Sequence, residues 1–199
     1  MATGRYDEAV RLCHNFAHTY SQLRCEEIGT SGEGRQIVAL HLGRSQGRPT
    51  IYIQAGIHAG EIEGKDAGFW FLRDLLDGKV AQGALDVVDV VFVPIVNPDG
   101  HERFGPNNRP NQRGPAEMGF RTTAARLNMN RDFVKADTPE IHAILHAFTT
   151  YRPVLFVDLH VLVDGRQTLT EAHDLTEYIE EAIHEIAPGA DITVHPEPV

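Results

Sequence analysis

Thr50-Ile51-Tyr52-Ile53-Gln54-Ala55-Gly56-Ile57-His58-Ala59-Gly60-Glu61 is the segment from which the architecture can be worked out. Ile51 to Ala55 is a short apolar run with the composition of a strand covered on both faces. Gly56 breaks the run, and His58 and Glu61 follow at its exit. An imidazole and a carboxylate three residues apart can close on one metal ion. Zinc takes these donor types and, in a catalytic site, usually one further protein ligand plus a water. Open α/β sheets carry their sites at the C-terminal ends of strands, where this pair would lie.

Working outward, Glu63 to Asp77 reads as a helix, with Phe69, Leu72, Leu75 and Leu76 on one face and Gly78 as its stop. Val87 to Val96 is almost wholly β-branched or aromatic, a second buried strand, and it runs into the turn signal Asn97-Pro98-Asp99-Gly100. Upstream, the runs Cys25–Gly29 and Ile37–Leu42 flank the glycine-rich turn Ser31-Gly32-Glu33-Gly34-Arg35, which predicts an antiparallel hairpin. The stripe Tyr6, Val10, Cys13, Phe16, Ala17 and Tyr20 predicts an N-terminal helix. Downstream, Thr138 and Pro139 give an N-cap and a proline at the first helical position, and Ile141, Ile144, Leu145 and Phe148 form the buried stripe. Pro153 to Leu159 is a further apolar strand ending in Asp158-Leu159-His160. A last helix, Asp174–Ala187, and a short strand at Ile192–His195 are also expected. Strands alternating with helices predict a single α/β sandwich domain with a mostly parallel sheet.

Composition narrows the function. With 18 Lys and Arg against 28 Asp and Glu, the net charge of −10 argues against general nucleic-acid or membrane-surface binding. No run reaches membrane-span length and no apolar signal core is visible, which places the chain in the cytoplasm as written, with a secreted or periplasmic origin open if its start was processed. Two cysteines are too few for a disulfide scaffold: Cys13 reads as a helix core residue, and Cys25 is left unassigned. His14 with His18, and His142 with His146, have the spacing of a helical ligand pair but no accompanying carboxylate or thiol, so both pairs read as solvated faces.

Three features converge on strand exits: His58 with Glu61, a polar loop rich in Pro, Gly and Asn after Gly100, and His160. Two histidines and one carboxylate make a zinc ligand set with a position left for water. Asp158, on the same strand face as His160, is placed to orient a ligand. The loop and its continuation carry Arg103, Arg109, Arg113, Arg121, Arg126 and Arg131 in an otherwise acidic chain, a local reserve of anion-binding groups.

The ordered set His58-Ala59-Gly60-Glu61, Asn97-Pro98-Asp99-Gly100, Asn130-Arg131 and then His160 on an apolar strand resembles the zinc carboxypeptidase family, of the carboxypeptidase A type. The likeness runs from about Ile28 to His160. It implies a three-layer α/β sandwich with a mixed, largely parallel central sheet flanked by helices. It also implies one zinc ion held by His58, Glu61 and His160, and a substrate carboxylate bound by Asn130 and Arg131. Arg109 most resembles the arginine that polarises the scissile carbonyl, with Arg113 as the alternative. Asn128 stands near where many relatives carry an aspartate that orients the first histidine. The activity implied is hydrolysis of a C-terminal peptide bond.

One departure is large. The general-base glutamate of the family lies well beyond the last histidine, and none of Glu171, Glu177, Glu180, Glu181, Glu185 or Glu197 has its context. The chain therefore reads as the N-terminal portion of such a domain or as a shortened relative. Three functions follow: a metallocarboxypeptidase, a zinc-dependent N-acyl amino acid deacylase, or a catalytically silent zinc- and carboxylate-binding module. The expected partner is a peptide or N-acyl amino acid with a free carboxylate. Self-association through an uncovered sheet edge is a further expectation.

Overall fold

The computed structural model describes residues 4–43, 47–108 and 116–159. Helix α1 (Tyr6–Thr19) leads into the hairpin β1 (Leu23–Thr30) and β2 (Gln36–Leu42), then β3 (Thr50–Ala55) and α2 (Glu63–Leu76). A single helical turn, α3 (Ala84–Val87), precedes β4 (Asp89–Val93), which is followed by the short helix α4 (Pro98–Glu102). A two-residue pair, β5 (Gly105–Pro106) and β6 (Glu117–Met118), bounds the long loop. A 3-10 turn (Met129–Arg131), α5 (Pro139–Tyr151) and β7 (Leu155–Leu159) complete the described chain.

The main sheet has the order β1-β2-β4-β3-β7. β1, β2 and β4 pair antiparallel, whereas β3 runs parallel to both β4 and β7. The expected α/β sandwich with a mixed sheet is what the chain adopts. β2 is almost continuously buried because both of its faces are covered. Val38, Leu40 and Leu42, with Val90 and Phe92 of β4, pack toward α1 and α2 beside Cys13, Phe69 and Leu72. Ile37 and Ala39, with Tyr52, Val91 and Val93, pack toward α5 beside Ile141 and Ile144. Period-two alternation along each strand thus feeds two cores, one on each side of the sheet.

Local chemistry explains the boundaries. α5 begins where the Thr138 hydroxyl accepts from Ile141 N at 3.3 Å, with Pro139 next. α2 ends at Gly78, whose φ of +70° suits glycine. The strand expected over Val87 to Val96 is shorter, Asp89–Val93, because Ala84–Val87 closes a helical turn and Pro94 cannot donate to a ladder.

The cysteine expectation is corrected. Cys13 and Cys25 form a disulfide with Cα atoms 5.5 Å apart. The stripe that buries Cys13 lays α1 across β1, which brings the two thiols together; nothing in the spacing alone signals this. His14, His18, His142 and His146 are all exposed on their helices, as solvated faces.

Candidate functional site

The exit of β3 is unusually closed. Every residue from Gln54 to Ile62 is buried, including His58 (0% exposed) and Glu61 (2%). Gly56 turns the chain at φ +72°, a conformation few other residues adopt. Glu61 N then donates to His58 O at 2.9 Å, closing a tight turn that sets the two side chains side by side. His58 Nδ1 lies 3.1 Å from Glu61 Oε1.

The exit of β4 is locked beside it. Val96 N donates to Ala55 O at 3.0 Å, joining the two strand ends. The Asn97 side chain accepts from Gly100 N at 3.0 Å, so the tetrapeptide read as a turn is the capped start of α4. Two glycines then let backbones touch. A Cβ on Gly100 would lie 2.5 Å from Thr122 O and 2.8 Å from Ala59 Cβ; one on Gly119 would lie 2.6 Å from Ala59 O and 2.7 Å from Gly100 O. The segment after β6 is therefore wedged directly against the His58–Glu61 turn and α4.

Asn130 and Arg131 sit on the 3-10 turn. The Asn128 side chain caps this turn by accepting from Asn130 N at 3.0 Å, which is the structural use of that asparagine. Arg131 is exposed and donates from Nη1 to Asn130 O at 2.9 Å. Ile57, Val96 and Met129, each one residue before His58, Asn97 and Asn130, belong to one apolar cluster. That shared core brings the three motifs to the same end of the sheet. Asp158 lies opposite Gln54 in the β3–β7 register, half-buried on the face that carries Tyr52. His160, Arg109 and Arg113 lie outside the described residues, as do the helix and strand expected after His160.

A buried charged network supports this end from behind, and sequence reading missed it. Asp99 (1% exposed) accepts from Ser31 Oγ at 2.6 Å, Glu33 N at 2.8 Å and Arg35 Nη1 at 2.7 Å. Glu140, fully buried at the start of α5, accepts from Gly32 N at 3.2 Å. Burial raises the Glu140 carboxyl above its ordinary range, and the charges of Asp99 and Asp132 add to the effect. Arg103, expected to serve an anionic substrate, instead donates to Glu33 and to the carbonyls of Thr123 and Ala124. The only signals were the Ser31–Arg35 turn and Asp99, and neither announces its partner 60 or more residues away.

Burial lowers the basicity of His101, while the Glu102 carboxylate, its Oε1 3.0 Å from His101 Nδ1, works against it. Burial would raise the Glu102 carboxyl, yet hydrogen bonds from His101, Arg5 and Tyr6 N hold it far below the usual range. Glu102 thereby fastens the start of α1 to α4.

His58 and Glu61 present, on one buried turn, the imidazole and carboxylate chemistry that zinc accepts. The pair fits as two of its ligands. Among the described residues no group of three His, Cys, Asp or Glu converges on one point, so a third donor must come from outside them.

Comparison with known proteins gives this arrangement a family. The zinc carboxypeptidase profile matches residues 9–164. Carboxypeptidase B of Helicoverpa zea is 31% identical over 114 residues, 52% of this chain and 26% of that protein. An inactive metallocarboxypeptidase of Saccharomyces cerevisiae is 32% identical over 115 residues, 50% of this chain and 27% of that one. The chain thus spans about a quarter of the length of these curated relatives. Among solved structures, a metallo-carboxypeptidase from Burkholderia cenocepacia superposes with a TM-score of 0.62 at 20% identity, covering 98% of this chain and 54% of that one. Carboxypeptidase A from Helicoverpa armigera gives 0.58 at 17%, covering 97% and 57%. A second profile, the cytoplasmic domain of cation efflux proteins, matches residues 138–199. A cation-efflux pump from Pectobacterium atrosepticum is 41% identical over 56 residues, 27% of this chain and 19% of that protein. Within that overlap, α5 packs on one face of the five-stranded sheet and β7 is its last strand in the described order. This chain belongs to the zinc carboxypeptidase family.

Proposed function

We propose that residues 1–199 carry the metal- and carboxylate-binding part of a metallocarboxypeptidase domain that hydrolyses the C-terminal peptide bond of a peptide. The observation that carries this reading is the buried His58–Glu61 pair at 3.1 Å on the exit of β3. His58, Glu61 and His160 hold one zinc ion, whose chemistry is to acidify a bound water and polarise a carbonyl. Asn130 and Arg131 receive the substrate carboxylate, a bidentate role suited to a guanidinium. Arg109 polarises the scissile carbonyl. Asp158 orients His160 from the same strand.

Zinc titration against a chromophoric chelator tests the metal assignment. One ion per chain is expected, with His58→Ala, Glu61→Gln and His160→Ala each weakening it strongly; wild-type protein that leaves the chelator loaded refutes it. Hydrolysis of a blocked dipeptide, set against cleavage of an N-acyl amino acid, separates the peptidase from the deacylase.

A second reading, a zinc- and carboxylate-binding module without turnover, is favoured by one observation. The carboxypeptidase match stops at residue 164, while the cation efflux match continues to residue 199. No glutamate in the later segment is then given the role of general base. Loss of that base costs on the order of a hundredfold or more in rate, so turnover at the rate of complete carboxypeptidases excludes the silent module.

Two attributes accompany the proposal. Among the described residues no helix is long and apolar enough to cross a membrane, and the Cys13–Cys25 disulfide supports an oxidising compartment. Free thiol detected in protein from its native source would argue against that placement. β7 is one of the two edge strands of the described sheet, with Phe156 on it and Val154 just before it exposed, which supports self-association. Sedimentation showing only monomer across a wide concentration range would exclude it.

A further inference from the structure

The opposite end of the sheet carries a second, unrelated cavity. It lies where β3, β4 and β7 begin, at Thr50, Asp89 and Val154, and has a volume of about 850 Å³. That is within the range of small-molecule sites, roughly 300–1,000 Å³.

One wall is a closed polar network. Arg24 donates from Nε to Glu26 Oε1 at 2.8 Å and contacts His41 Nδ1 through Nη2 at 2.7 Å. The Tyr151 hydroxyl donates to Glu26 Oε2 at 2.8 Å. A guanidinium can only donate, so His41 Nδ1 accepts and the imidazole is neutral, its proton on Nε2. Arg24, Glu26, His41 and Tyr151 are therefore joined in one chain of hydrogen bonds.

The remaining lining charges do not. Asp89 is 6% exposed, and its Oδ1 has no hydrogen-bond partner. Arg48, half-buried, spends one Nη1 proton on Leu85 O at 2.8 Å. Arg152 enters from the end of α5. Among the described residues no ion pair joins Asp89 to either arginine. A largely buried carboxylate without a donor is costly, and Arg48 and Arg152 line the same cavity without pairing with it. A species with a positive donor at one end and a carboxylate at the other compensates both.

We infer that this cavity binds a small zwitterion, a free amino acid or short peptide, with its ammonium group on Asp89 and its carboxylate on Arg48 and Arg152. The inference does not depend on the zinc assignment, because the cavity shares no residue with that site.

Titration of the full chain by NMR or calorimetry with glycine, diglycine and triglycine reads the charge spacing; acetate and methylammonium serve as the separated halves. Saturable binding is expected for one member of the glycine series, with both halves weaker by roughly tenfold or more, the size of one charge-assisted hydrogen bond. Asp89→Asn and Arg48→Gln should each weaken that member to the same degree. Arg152→Gln, on an exposed residue, provides a variant whose folding is not at risk and should also weaken it. Acetate binding as tightly as the zwitterions would overturn the inference. So would no saturable binding by any of the three, or a folded Arg152→Gln protein with unchanged affinity.

Discussion

The two ends of the central sheet differ in how tightly the backbone closes over them. At the C-terminal ends of β3 and β4, backbone packs on backbone through Gly100 and Gly119, and Asp99 accepts three hydrogen bonds in full burial. At the N-terminal ends, the side chains of β1, β2, β4 and α5 instead border an open polar cavity of about 850 Å³. The metal-binding pair proposed for the first end needs the first kind of construction, with positions fixed to within about half an ångström; the exchangeable ligand proposed for the second end tolerates the other.

The comparison is broken most forcefully at Asp99. Asp99→Ala strands the Ser31 hydroxyl, the Glu33 amide and the Arg35 guanidinium around a cavity. We expect a loss of ~3–5 kcal/mol, the range for removing one partner of a buried charge pair, read as a lowered denaturant midpoint. A loss below about 1 kcal/mol would show that the network is replaceable by water.

Gly119→Ala comes next. Its Cβ meets three backbone carbonyls, of Ala59, Gly100 and His101, none nearer than 2.6 Å nor farther than 2.8 Å. Backbone cannot step aside as a side-chain end can, so we expect about 2–3 kcal/mol of destabilisation. The Tm should fall by roughly 2–4 °C for each kcal/mol. Because Ala59 lies between His58 and Glu61, the zinc affinity proposed for that pair should fall with it; unchanged Tm and affinity together would refute the wedge.

The smallest effects concern pH, and the two ends carry opposite signs. Glu140 has a folded pKa raised above 4.5 by burial, so the folded state holds its proton longer than the unfolded chain. Its contribution to stability therefore falls as pH rises from 4.5 through the folded pKa. His41 has a folded pKa lowered below 6.5 by burial and then by Arg24, so the unfolded chain takes up the proton first. Its contribution is lost as pH falls below 6.5. Stability measured across pH 4 to 8 should lose the first slope in Glu140→Gln and the second in His41→Gln. Identical profiles for both variants and wild type would remove the contrast.

Much of this was legible in residue order. The strand–Gly–His–x–x–Glu corner, the capped helix at Thr138-Pro139 and the buried runs of β2 and β4 follow from local chemistry, and the structure has all of them; the apolar run of β7 forms its strand but lies half-buried at a sheet edge, with Phe156 exposed. The Asn97–Gly100 signal was read correctly as chain reversal, though its helical continuation was not. Arg103 was misjudged, because an arginine in a basic loop looks the same whether it meets substrate or Glu33. Asn128 is a cap, a role visible only once Asn130 N is seen beside it.

What the sequence determined by itself is the alternation of elements and the donor chemistry of His58 and Glu61, since both depend on neighbours within a few residues. Only the tertiary structure decided that Cys13 meets Cys25, that Asp99 and Glu140 grip the Ser31–Arg35 turn, and that Gly119 lies against Ala59. Each of those pairs is brought together by the packing of helices on the sheet, and the free energy of that packing is spread over two cores of ordinary apolar residues that carry no mark of the partners they align.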